Sequence, residues 1–207
     1  MNPSSPVPPD SSPLPLSQQL QLIKELQIFK LQGCDRRGRP LLRIIGKFFP
    51  AKLVSAEAAK KFLEDEIFPN LEGRPFSAVY VHTEVNRGDN FPGISALKCI
   101  YDAVPESLEA VYFVHPGIQS RLFLATFGRL IFGGAGYGKV RYVSRLEFLW
   151  EHVRRKGAEM PEFVHEFDEE MEWRPTTVDY GIESDHPAVL NTPFDSTVST
   201  YSMRCIA

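Results

Sequence analysis

Residues 133–140, Gly-Gly-Ala-Gly-Tyr-Gly-Lys-Val, come closest in this sequence to a catalytic motif. A phosphate-binding P-loop reads GxxxxGK followed by Ser or Thr, because backbone N–H groups and the Lys bind phosphate while the hydroxyl binds Mg²⁺. Gly133, Gly138 and Lys139 fit this pattern, but Val140 has no oxygen for the metal. A P-loop also leaves a strand and enters a helix, whereas here a helix comes first. We therefore predict a flexible turn, and a nucleotide hydrolase is kept as a third hypothesis behind the two given below.

Histidines supply the other candidate chemistry. His82-Thr-Glu84 imitates the HxE of zinc deaminases, but the cysteine pair that completes such a site does not follow. No GxSxG elbow or zincin motif occurs, so the sequence predicts no catalytic residues, no metal site, no cofactor and no enzyme. His115 lies before Pro116 at the carboxyl end of a predicted strand, where α/β proteins bind ligands. It is predicted either as a ligand-binding residue or as a structural strand end.

Residues 117–132 predict an unusually apolar helix. Its apolar side chains spread around most of the circumference, so nearly all sides must be covered. These side chains are Ile118, Leu122, Phe123, Leu124, Ala125, Phe127, Leu130, Ile131 and Phe132. The helix is either a core helix, or it packs on a sheet with one side and faces an apolar ligand or a membrane with the other. In the second interpretation the glycines after it would let it move as a lid.

The composition is that of a soluble globular protein. Of 207 residues, 43% are hydrophobic and 24% are charged, and the net charge of −3 does not favour nucleic acid as a partner. The odd number of widely spaced cysteines argues against a disulfide framework. Neither a signal peptide nor an apolar run long enough to span a membrane is evident, and the cysteine near the end does not fit a prenylation box. We expect a cytoplasmic protein with, at most, peripheral membrane contact.

Helical and strand patterns alternate between two tails. The tails are predicted at 1–16, which is rich in Pro and Ser, and at 175–207, so that one domain covers 17–174. The predicted helices cover 17–30, 55–68, 94–101, 117–132, a segment that starts at a capping box of Ser144 and Glu147, and 161–171. The predicted strands cover 41–45, 78–81, 110–114 and 140–143. Continuous apolar strands are typical of a largely parallel sheet covered by helices, which predicts an α/β domain.

A basic run precedes and enters the first predicted strand. It consists of Arg36, Arg37, Arg39, Arg43 and Lys47. Such a run is commonly a solvated loop and strand edge, and it could also meet anionic lipid headgroups or an acidic face of another protein.

Four strings, in their order, resemble the CRAL-TRIO lipid-binding domain. They are Asp35-Arg-Arg-Gly-Arg-Pro-Leu-Leu-Arg-Ile-Ile45, Ala78-Val-Tyr-Val-His82, Val111-Tyr-Phe-Val-His-Pro116 and Gly138-Lys-Val-Arg-Tyr-Val143. The resemblance covers about residues 20 to 172. It is strongest to the divergent branch found in Rho GTPase-activating proteins, BCH-domain scaffolds and proteins related to ganglioside-induced differentiation, and to small plant-type members that stand alone.

The resemblance implies a mixed, largely parallel sheet flanked by helices, with a hydrophobic pocket closed by a gate helix. That gate corresponds to residues 117–132, which adds Leu122, Phe123, Phe127 and Ile131 to His115 as expected ligand contacts. In members that bind phosphatidylinositol, an acidic residue and a lysine contact the headgroup, and the matching residues are Glu106 and Lys139.

Two functions follow as hypotheses. The first is non-enzymatic binding, transfer or sensing of a phospholipid or other small hydrophobic molecule, with transient membrane contact. The alternative is a signalling scaffold that binds a small GTPase or its regulator through the basic run and the acidic last helix.

Overall fold

The fold is described for residues 14–86 and 88–173 in a computed structural model. The predicted tails, 1–16 and 175–207, lie outside the described residues apart from 14–16. Their predicted boundaries therefore stay predictions.

The described residues form one five-stranded sheet. Its strands are β1 Phe29–Cys34, β2 Pro40–Ile45, β3 Phe76–Val81, β4 Leu108–Val114 and β5 Val140–Val143. They lie side by side in chain order, with β1 antiparallel to β2 and all later neighbours parallel. The predicted mixed, largely parallel sheet is confirmed.

Helices cover both faces of the sheet. They are α1 Leu16–Glu25, α2 Ala56–Phe62, α3 Ile94–Tyr101, α4 Ile118–Tyr137, α5 Leu146–His152 and α6 Glu162–Trp173. Ser55 caps α2, because its side chain accepts a hydrogen bond from the Ala58 backbone N–H. A π-helical turn, Leu63–Ile67, and a 3₁₀ turn, Phe68–Leu71, extend α2 toward β3.

The strand β1 corrects the sequence prediction, which placed a helix over 17–30. The helix α1 ends at Glu25, and Gln27 takes a left-handed φ of 49°. From Phe29 the chain pairs with β2, where Phe29 lies opposite Ile44. The apolar residues of this segment fit both a helical and an extended pattern, and a pairing partner later in the chain decides between them.

The start of α5 is a second correction. The capping box predicted Ser144 as the N-cap residue, but the helix begins at Leu146 with Arg145 in that position and no side-chain cap from Arg145. The Leu146 N–H donates instead to Asp168 Oδ1 of α6, at 2.8 Å. A carboxylate from a distant helix therefore satisfies one of the backbone N–H groups at the start of α5.

The break in α4 lies at Gly133. Its φ of 67° and ψ of 169° fall in a region that essentially only glycine adopts. The apolar segment from Ile118 therefore ends at residue 132, and residues 134–137 form another helical turn before β5. The predicted glycine turn is thus confined to one residue.

Each face of the sheet has its own apolar cluster, because successive residues of a strand point to opposite faces. On one face, Leu41, Val79 and Val114 pack with Leu149 of α5 and Val164 of α6 in a dense cluster. The other face, which carries Leu42 and Ala78, is covered by α1 to α4. The space that could hold a ligand lies on this second face.

Candidate ligand-binding cavity

A cavity of about 540 Å³ lies between the sheet and the helices α3 and α4. This volume is within the range of about 300–1,000 Å³ that is typical of sites for one small molecule. The floor is formed mainly by side chains from β2, β3 and β4, and the walls come largely from the helices and the turns after α2. Apolar lining residues include Leu42, Ile44, Leu63, Phe68, Phe76, Ala78, Leu97, Ile100, Val111, Phe113, Phe123, Leu124 and Phe132.

Most polar lining residues lie near the carboxyl end of β3. Tyr80 and His82 alternate with buried residues of the opposite face, so both point to the cavity side. Glu84, Asn86 and Asn90 follow in the loop, and Gln119 and Ser120 come from the first turn of α4. The cavity therefore has an apolar body and one polar end.

His82 and Ser120 join the sheet to α4 at that polar end. The Ser120 hydroxyl and His82 Nε2 share a hydrogen bond of 2.5 Å. His82 packs on Phe113, with ring centroids 5.0 Å apart, and edge-on to Phe91 at 6.3 Å. Burial lowers the pKa of His82 to about 4, so its imidazole is neutral at physiological pH.

The Ser120–His82 contact is the geometry of a nucleophile and a base, and the sequence prediction missed it. The two residues are 38 positions apart in the chain, and no local motif links them. His82 Nδ1 is buried without a hydrogen-bond partner among the described residues, so no carboxylate orients the ring as in a catalytic triad. An imidazole with a pKa near 4 is also a weak base at neutral pH. The pair is better suited to holding α4 and hydrogen-bonding a ligand.

Lys139 and Glu106, the predicted headgroup contacts, lie near each other but outside the cavity lining. Lys139 Nζ donates to the backbone oxygens of Leu108, at 2.6 Å, and Glu106, at 3.3 Å. The lysine thus ties the start of β5 to the start of β4, and the Glu106 side chain is exposed. Their headgroup contact stays a prediction.

His115 lies on the opposite face of the sheet from the cavity. Its Nδ1 shares a hydrogen bond of 2.8 Å with Thr83, and its Nε2 lies 3.0 Å from Asp168 Oδ1 of α6. Burial lowers the pKa of His115, although the hydrogen bond and charge of Asp168 oppose this shift. Arg145 Nε also donates to this carboxylate, at 3.2 Å. Through these contacts His115 connects the end of β4 to α6, which is a structural role.

The predicted contacts on α4 divide by helix face. Phe123 lines the cavity, and its ring lies 5.3 Å from that of Phe127, which is half-buried outside the lining. Ile131 is buried in the fold, and Leu122 is 67% exposed. Four residues predicted for one role therefore have four different environments, and their contact with a ligand stays a prediction.

The basic run does not form one free surface. Arg36 donates to the Trp150 backbone oxygen, Arg39 pairs with Asp35 and Glu109, and Arg43 is buried and donates to two backbone oxygens. Lys47 forms an ion pair with Glu84. Of the five predicted residues, four are thus engaged within the fold.

In the part of the chain that the structure describes, no group of three or more His, Cys, Asp or Glu residues could hold a metal ion. Over residues 14–86 and 88–173, no helix has the length and apolar character to cross a membrane.

Comparison with known proteins gives one family and several relatives. The family described as divergent CRAL/TRIO domain matches residues 38–170. The chain is similar to the GDAP2 homolog of Drosophila melanogaster, with 29% identity over 140 residues, covering 66% of this chain and 25% of that protein. It is also similar to ganglioside-induced differentiation-associated protein 2 of Xenopus tropicalis, at 28% identity, and of Homo sapiens, at 26%. Both alignments cover 73% of this chain and 31% of the relative, so the chain matches about a third of their length or less.

Proposed function

This chain belongs to the divergent CRAL/TRIO domain family, and we propose that it binds one phospholipid or other small hydrophobic molecule in the cavity beneath α4. Domains of this family are of a lipid-binding type and are generally not enzymes. The observation that carries the proposal is the cavity itself. Its wall is mostly apolar, and it lies on one sheet face while the other face carries a separate cluster of buried apolar side chains.

The proposal predicts a lipid that travels with the protein. Purified full-length chain, examined by native mass spectrometry, should carry one small apolar molecule in a ratio of one to one, because an empty apolar cavity of this size is unfavourable in water. Solvent extraction and mass spectrometry then identify the molecule. Repeated isolation of empty protein that also fails to take up lipid from vesicles would refute the proposal.

The outer face of α4 supports transient membrane contact as part of this function. Ile118, Leu122 and Leu130 are 59%, 67% and 61% exposed on the helix that covers the cavity. Apolar side chains of this size are favourable at the boundary between headgroups and acyl chains. We therefore propose that α4 inserts shallowly into a membrane when the ligand enters or leaves.

Replacing Leu122 and Leu130 with Ser should slow the exchange of a fluorescent lipid with vesicles by at least about tenfold, because a leucine contributes about 1.5 kcal/mol when it is fully buried, and two leucines that shallow insertion buries by half contribute about as much together. Binding of the same lipid from detergent-free dilute solution should change little, since neither side chain lines the cavity. Leu53→Ser is the matched control, because Leu53 is 48% exposed and lies outside α4. Equal exchange rates in all three proteins would contradict membrane contact through α4.

The alternative function, a scaffold for a small GTPase or its regulator, would use both the basic run and the acidic last helix. Most of that run is engaged in contacts within the fold, as described above. The lipid-binding proposal is therefore favoured over a scaffold that uses this run as its docking surface.

A further inference from the structure

The charge of the cavity lining restricts the ligand. Among the lining residues that the structure describes, none is Lys or Arg, and the carboxylate of Glu84 is the one acidic group. Glu84 is paired with Lys47, so the lysine beside the mouth is already neutralised. A phosphate or carboxylate placed inside this lining would lose its hydration without gaining a cation, which is strongly unfavourable.

The polar end instead offers uncharged hydrogen-bonding groups. Tyr80, His82 and Ser120 are neighbours there, with the rings of Tyr80 and His82 5.8 Å apart and Ser120 bonded to His82. Burial raises the pKa of Tyr80 and lowers that of His82, so both side chains are neutral at physiological pH. Hydroxyl, imidazole and amide groups of this kind bind hydroxyls and carbonyls.

The separation of the polar end from the apolar lining would orient a ligand in the cavity. The Tyr80 hydroxyl lies beside the backbone of Gly46, where a Cβ would be only 2.6 Å from Tyr80 Oη, so glycine leaves room for the hydroxyl. Leu63, Phe68 and Phe76 provide an apolar lining elsewhere in the cavity. A ligand with a small polar head and a long apolar body can satisfy both parts at once.

We propose that the cavity selects an uncharged amphiphile, whose hydroxyl or carbonyl head hydrogen-bonds at Tyr80, His82 and Ser120, over a lipid with an anionic head. This inference rests on the proposed function, because it assumes that the cavity binds a lipid. It narrows that function from lipids in general to neutral lipids with a small hydrogen-bonding head.

A matched pair of ligands tests the selection. Monooleoylglycerol and oleoyl lysophosphatidic acid share one acyl chain and the glycerol, and the second carries an anionic phosphate on that glycerol. Each is titrated against a fluorescent fatty-acyl probe bound to the full-length chain, below its micelle concentration. Monooleoylglycerol should displace the probe at a concentration at least about tenfold lower than the concentration of lysophosphatidic acid that displaces it.

Variants separate the head contact from general apolar binding. Ser120→Ala should weaken the binding of monooleoylglycerol severalfold, and it should have little effect on the binding of a probe that lacks a hydroxyl. Gln119→Lys adds a cation at the exposed rim of the cavity and should move the preference toward the anionic lipid. Gln18→Lys on the exposed surface of α1 is the control and should leave the preference unchanged.

The outcomes distinguish a failure of the selection for neutral lipids from a failure of lipid binding itself. Equal binding of both lipids, or tighter binding of the anionic one, overturns the selection and leaves lipid binding intact. Failure of the probe and of both lipids to bind folded protein overturns the proposed function itself.

Discussion

Val111→Phe should deprive the protein of its ligand. Val111 lies on β4 in the floor of the cavity, and a larger side chain there projects into the space that the ligand needs. We expect the amount of co-purified lipid, measured by native mass spectrometry, to fall about fivefold or more, because overlap with a packed wall costs more than about 1 kcal/mol. Ala78→Leu, on the neighbouring strand β3, should act in the same direction.

The same substitutions should not unfold the protein. Phenylalanine suits a strand, and filling an apolar cavity commonly stabilises a domain by about 0.5–2 kcal/mol. The free energy of unfolding of the lipid-free protein, measured in urea, should therefore stay level or rise. Leu53→Phe adds a similar volume at an exposed position and should retain the lipid. A folded Val111→Phe protein that carries lipid at the wild-type level would show that the ligand binds elsewhere.

Local patterns were sufficient to predict the bounds of two short elements. The helix over 94–101 and the strand over 140–143 have the bounds that their periodicity and apolar run predict. The apolar residues all around 117–132 also predicted a helix with two environments. Phe123 faces the cavity, whereas Leu122 on the same helix is exposed. A pattern of this kind indicates that two surfaces exist, and it does not say which side chain belongs to which.

Features formed by distant residues could not be predicted in this way. The strand β1 requires its pairing with β2, and the start of α5 depends on Asp168, 22 residues later. The polar end of the cavity depends on His82 meeting Ser120 across 38 residues. The residue types alone also do not reveal a cavity, because the apolar residues that line a cavity are of the same types as those that pack against a neighbour in the core.

Asp35→Ala should cause the largest loss of stability among single substitutions considered for this fold. Asp35 is 1% exposed in the turn between β1 and β2. Its Oδ1 accepts from the backbone N–H groups of Arg37, at 2.8 Å, and Arg39, at 2.9 Å. Its Oδ2 accepts from Arg39 Nε at 2.6 Å and from the Ser77 hydroxyl at 2.9 Å. One carboxylate thus joins the turn, β2 and β3. This role explains why the segment Asp35–Ile45, which resembles the family, begins with Asp and includes Arg39.

Removing that carboxylate leaves several buried donors without a partner, so the free energy of unfolding should fall by about 3–5 kcal/mol. Glu109→Gln is the control, because Glu109 also pairs with Arg39 but is 47% exposed, and it should cost less than about 1 kcal/mol. Urea titrations of the three proteins measure both changes. A loss below 1 kcal/mol for Asp35→Ala would mean that the turn is held by other contacts.

The contribution of Asp35 should also depend on pH in a defined direction. Burial alone would raise the pKa of Asp35, but hydrogen bonds from Arg39 and Ser77 and the charge of Arg39 together lower it from 3.8. A carboxylate whose pKa is lower in the folded state stabilises that state above its unfolded pKa, and this stability is lost as the pH falls through the folded value. The difference in unfolding free energy between wild type and Asp35→Asn should therefore be constant above about pH 5 and shrink below pH 3.8. A difference that stays constant down to pH 2, or grows in acid, would show that the charge of Asp35 does not stabilise the turn.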